Sequence, residues 1–174
     1  MFDANTGAYK RHWGAYGKRP VDAGPYGLPA PQGASGSPSG NVDPMQQFST
    51  PHCVLFSNDR LVYVCDRGNR RIQVFKPDGT FIKEKVFKPG SPWDIELSRD
   101  PQQRLLFVVD GSTTVVQTLL RDSLEVVGTF GHRGRWGGQF ETPDNLALDS
   151  KGNLYVAETL DGRRLQRFLP TTAR

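Results

Sequence analysis

Four residues of this chain pair a chemically capable side chain with a recurring position. His52, Trp93 and Asp144 each follow a proline directly, and Arg67 follows Asp66. A guanidinium can stabilise negative charge but is a poor proton acceptor, whereas an indole, an imidazole or a carboxylate at a repeated position can line a channel or bind a ligand. No residue of the set is an identified general base, and acid–base chemistry needs one within reach of the proton it moves. The set therefore reads first as a recognition cluster. The two other histidines, His12 and His132, fall in Gly-rich turns away from it.

The elements that must position these residues are visible as a repeat. Pro51-His52-Cys53-Val54-Leu55-Phe56 leads to Val64-Cys65-Asp66-Arg67 and Ile72-Gln73-Val74-Phe75. Pro92-Trp93-Asp94-Ile95 leads in the same way to Val108-Val109-Asp110 and Val116-Gln117-Thr118-Leu119, and Pro143-Asp144-Asn145-Leu146 to Tyr155-Val156-Ala157-Glu158 and Leu165-Gln166-Arg167-Phe168. The acidic residues are 44 and 48 residues apart. A period of about 40–50 residues built from short alternating strands predicts β-propeller blades. Inner-strand starts and second-strand ends lie at one mouth of such a ring, so His52, Arg67, Trp93 and Asp144 are expected to cluster there. The acid after each second strand is expected to accept hydrogen bonds from the following turn, with Arg71 or Arg164 as ionic partner.

The fold class expected is all-β: about three blades plus an N-terminal outer strand, a partial ring or half of a six-bladed one. Residues 1–17 read as the outer hairpin of a preceding blade, 18–47 as a Pro/Gly/Ser-rich inserted loop, 48–90 and 91–140 as blades, and 141–174 as an incomplete last blade. Asp78-Gly79 tolerates positive φ, as a two-residue hairpin requires. Three blades are too few to close a ring, which normally needs at least about four. The chain is then part of a longer protein, half of a ring closed by self-association, or an open solenoid.

A net charge of +4 permits an acidic partner. The basic residues are scattered over turns and strand ends with no basic helix and no aromatic-basic motif, so nucleic-acid binding is not expected. Cys53 and Cys65 fall on adjacent strands of one blade. The preferred reading is two small buried apolar residues, with a disulfide as the alternative that Cα separation decides. No run approaches the roughly 20 apolar residues of a membrane helix, and the first residues lack a secretory apolar core. Any export signal of a secreted or periplasmic parent would lie outside this chain.

The run Val62 to Phe75 followed by Asp78-Gly79-Thr80-Phe81, and the run Gly138 to Pro143 followed by Leu146 to Val156, resemble NHL repeats over most of residues 48–169. NHL propellers include enzymes, RNA-binding domains and protein-binding scaffolds. Phe48 to Leu55 with Asp66-Arg67 is similar to a segment of the peptidyl-α-hydroxyglycine α-amidating lyases. There the His after Pro binds a central zinc together with two further histidines, and the Arg after Asp is catalytic. The resemblance implies zinc at His52 and a catalytic role for Arg67. Asp144 stands where that family has another Pro-His, and aspartate can ligate zinc through oxygen. The function expected is a ligand- or protein-binding scaffold with the ring mouth as binding surface, its partner a protein, peptide or small molecule. A zinc-dependent lyase half is the alternative, and an RNA-binding domain the second alternative.

Overall fold

The computed structural model describes residues 1–20 and 46–171. Eleven strands form three antiparallel sheets, each a simple meander. The first holds β1 (Pro51–Phe56), β2 (Val62–Asp66), β3 (Arg71–Phe75) and β4 (Phe81–Val86). The second holds β5 (Pro92–Leu97), β6 (Leu105–Asp110), β7 (Val115–Leu120) and β8 (Val126–Phe130), and the third β9 (Pro143–Leu148), β10 (Leu154–Glu158) and β11 (Arg164–Phe168). These are three propeller blades, the last with three strands.

Strand periodicity explains how the blades stack. Successive side chains of a strand point to opposite faces, and β6 is apolar on both. Leu106 and Val108 join Tyr63, Ile72, Val74, Ile95 and Leu97 in a core between the first and second blades. Val109 turns the other way and, with Val116, meets Leu146, Leu148, Leu154 and Val156 of the third blade. The middle blade is thus buried on both faces. The inner strand of the first blade instead leaves Val54 and Phe56 exposed, and the third blade leaves Leu165 exposed.

The turn at Asp78-Gly79 is longer than the two-residue hairpin expected: the Gly79 N–H donates to the Lys76 carbonyl and the Lys76 N–H to the Thr80 carbonyl, only Gly79 has positive φ, at +95°, and the Asp78 carboxylate accepts from the Thr80 N–H at 2.9 Å. The preferred reading of the cysteines is corrected. Cys53 and Cys65 are register partners on β1 and β2, their Cα atoms are 4.9 Å apart, and they are joined in a disulfide. Adjacent strands bring directly opposed residues within bridging distance, which two buried apolar side chains of any other type would not exploit.

In the N-terminal segment, Phe2 and Tyr9 form an isolated bridge. The chain then packs along the first blade, with Trp13 against Phe75 (ring centres 6.3 Å apart) and Tyr16 against Phe81 (5.0 Å). Most of the Pro/Gly/Ser-rich stretch expected as an inserted loop, residues 21–45, lies outside the described residues. Among the described residues no helix is long and apolar enough to cross a membrane.

Candidate functional site

The recurring proline starts each inner strand opposite the acid that ends the second strand: Pro51 faces Asp66, Pro92 faces Asp110 and Pro143 faces Glu158. The pairing then skips one residue in every blade, resuming at Cys53 with Cys65, Asp94 with Val109, and Asn145 with Ala157. The skipped residues are His52, Trp93 and Asp144. A β-bulge of this kind leaves its extra residue unpaired and re-aims its side chain. All three are released at the same end of their blades.

The structure brings these three together with Arg67. His52 Nδ1 lies 2.7 Å from the Trp93 carbonyl oxygen, and its ring centre is 6.0 Å from that of Trp93. Because a carbonyl only accepts, Nδ1 carries the proton in this contact and Nε2 of the neutral ring is left as an acceptor. Nε2 faces Asp144 Oδ1 at 4.0 Å. The Arg67 guanidinium carbon sits 3.7 Å from the centre of the Trp93 indole, a cation–π contact of about 0.5–2 kcal/mol. No carboxylate pairs with Arg67 among the described residues.

Backbone hydrogen bonds hold the arginine in place. The Arg67 carbonyl accepts from Ser91 Oγ at 2.7 Å and from the Arg70 N–H at 3.0 Å, while the Gly68 N–H donates to the Ser49 carbonyl at 2.6 Å. Glycine is required beside the indole, since a Cβ on Gly111 would sit 2.3 Å from the Trp93 ring. An open cleft of about 580 Å³ adjoins Arg67 and Trp93 and is bordered by Thr50, Arg70, Ser112 and Thr113. Arg70, Ser91 and Gly111 were not singled out by sequence. The only signal for them is their place in the turns that follow the acids or precede the prolines.

The acids behave as anchors of these turns. Asp66 accepts from the Ser49 N–H (2.7 Å), Asn69 Nδ2 (2.8 Å) and Arg71 Nε (2.8 Å). Glu158 accepts from the Glu141 N–H (2.6 Å), from Gln166 (2.9 Å) and from Arg164. Burial of Glu158 works to raise its pKa, but these donors, Arg164 foremost, outweigh it and hold the carboxyl below its ordinary value.

As a metal centre the site is short of ligands. His52 Nε2 and Asp144 Oδ1 could share an ion, but no group of three His, Cys, Asp or Glu forms among the described residues. Zinc centres take three or four protein ligands, so the residues present do not fit zinc by themselves.

Comparison with known proteins follows the repeat. Residues 48–75 match the family described as NHL repeat. The chain is similar to NHL repeat-containing protein 3 of mouse, 29% identical over 108 residues that cover 56% of this chain and 31% of the mouse protein. The human protein of the same name is 29% identical over 135 residues, covering 71% of this chain and 36% of its own. The chain thus spans about a third of the length of these curated relatives. Among solved structures, a catalytically inactive virginiamycin B lyase from Staphylococcus aureus, in complex with quinupristin, superposes with TM-score 0.50 at 16% identity, over 70% of this chain and 42% of the lyase. A protein of unknown function from Bacteroides caccae gives 0.53 at 15% identity, over 64% and 39%. At these identities the likeness concerns the fold of the NHL blades alone.

Proposed function

We propose that these NHL blades form a non-catalytic recognition scaffold, and that their mouth, built from His52, Arg67, Trp93 and Asp144, binds a ligand or partner. The observation that carries this reading is the Arg67 guanidinium, seated 3.7 Å over the Trp93 indole and without a carboxylate partner among the described residues, beside the cleft of about 580 Å³. A cation held by its own backbone and by an aromatic face needs little reorganisation on binding, which lowers the cost of association. Thr50, on the same cleft, adds a hydroxyl donor for an oxygen-rich group.

The scaffold reading is tested by affinity capture with the immobilised chain and with Arg67→Ala and Trp93→Ala variants that keep the wild-type circular dichroism. Partners held by the mouth should be lost from both variants. Recovery of an unchanged set of partners from both would remove the mouth as the binding surface. The zinc-dependent lyase alternative needs ligands beyond His52 and Asp144.

A further inference from the structure

The three blades share a glutamine at one place on the third strand, opposite the same position of the second: Gln73 opposite Val64, Gln117 opposite Val108 and Gln166 opposite Val156. In two blades this side chain holds the segment that leads into the blade. The Tyr16 N–H donates to Gln73 Oε1 at 3.1 Å. In the third blade the Gly138 N–H donates to Gln166 Oε1 at 2.9 Å, and Gln166 Nε2 donates to the Gln139 carbonyl at 2.7 Å. A side-chain amide offers one acceptor and two donors and so matches the alternating N–H and C=O of an extended backbone.

The middle blade keeps the glutamine and lacks the segment. Its lead-in is five residues, Phe87 to Ser91, against twelve, Gly131 to Thr142, before the third blade. The Gln117 amide makes no hydrogen bond among the described residues, and it lines a groove of about 360 Å³ between the first and second blades. Among the described residues, Thr113 Oγ1 is also buried without a partner. Thr113 lines the same groove, whose rim carries Lys85 and Lys88. Neither lysine has a carboxylate partner among the described residues.

We propose that this groove receives an extended, acidic segment of a partner polypeptide, lying on Gln117 as the chain's own lead-in segment lies on Gln166. Gln117 reads the backbone. Lys85 and Lys88 select for acidic side chains over basic ones, and do so less as salt rises. The groove adjoins the mouth cleft through Thr113, which borders both, but its reading does not depend on the function proposed for the mouth.

The test is calorimetric titration of the chain with a capped twelve-residue peptide of the Gly131–Thr142 sequence carrying Arg133→Glu and Arg135→Glu. Saturable single-site binding is expected. Gln117→Ala should weaken it about tenfold, the factor that about 1.4 kcal/mol of lost contact produces. Lys88→Glu should weaken it most at low salt, and the peptide with its arginines restored should bind less tightly. Arg104→Ala and the mouth variant Arg67→Ala should bind as the parent does. The proposal is overturned if the acidic peptide does not bind, if Gln117→Ala or Lys88→Glu leaves affinity unchanged, or if the arginine peptide binds equally well. It is also overturned if Arg67→Ala matches the loss at Gln117, or if a single-stranded RNA oligomer binds more tightly than the peptide.

Discussion

The Tyr63 hydroxyl is buried in the first inter-blade core with no hydrogen-bond partner. Burial pushes its pKa up from 10.0 to about 12. The folded chain therefore keeps its phenolic proton over a range in which the unfolded chain loses it, so stability is level below pH 10 and declines as pH rises toward 12. Tyr63→Phe should raise the unfolding free energy by about 1 kcal/mol at neutral pH by removing the unsatisfied hydroxyl. It should also flatten the alkaline decline seen in urea titrations. Beside it, the Cys53–Cys65 disulfide closes a sequence separation of 12 residues, and a loop of that size stabilises by about 3 kcal/mol. Denatured, unreduced protein should show no reactive thiol, and reductant should lower the melting temperature. The positions of His52, Trp93 and Asp144 were legible because proline marks them. Their bulges were not, since skipping a residue depends on how two strands meet and not on either strand alone. Cysteine pairing was hidden for the same reason: facing is a property of register.

At the level of the strands, each acid that closes a second strand faces the first residue of the third: Asp66 faces Arg71, Asp110 faces Val115 and Glu158 faces Arg164. The arginines appear where a long lead-in must be held. Arg71 donates to Tyr16 Oη at 2.8 Å and to the Gln47 carbonyl at 3.2 Å, and Arg164 donates to the carbonyls of Gly134 (3.2 Å) and Gln139 (2.8 Å). The middle blade, with its short lead-in, has valine. Arg164→Ala should cost about 1–3 kcal/mol, because the buried Glu158 carboxylate loses its cation while keeping the Glu141 N–H and Gln166 donors. It should also reduce the acid resistance that Glu158 contributes. That carboxyl titrates below its ordinary value of 4.5, so its contribution is present above that value and fades as pH falls through its lowered pKa. Val115→Arg should do the reverse for Asp110, raising the unfolding free energy by about 1 kcal/mol in chemical denaturation. The acids and both candidate arginines could be read from the sequence, but their link to lead-in length becomes visible only when the segments are seen lying on the blades.

For the molecule as a whole, the repeat spacing conveyed the blade architecture because each unit has the same alternation and the same punctuation. The mouth draws one side chain from the inner strand of each blade, so its geometry depends on the packing between blades. Leu97, 1% exposed in the first inter-blade core, lies at the end of β5 opposite Trp93. Leu97→Ala should cost about 2–5 kcal/mol, and at temperatures near the transition it should weaken ligand capture by the mouth although no mouth residue has changed. In the N-terminal segment, Trp13 and Tyr16 pack on the first blade, as the segment after β8 lies on the third.

The residue after each inner-strand proline stands outside the hydrogen-bonded pairing of its sheet, so its identity is free to vary without disturbing that pairing. His, Trp and Asp there are three settings of an interchangeable panel. Libraries randomised at 52, 93 and 144 should yield folded chains with altered tastes, whereas randomising Cys53, which is bonded to Cys65, should give less stable ones.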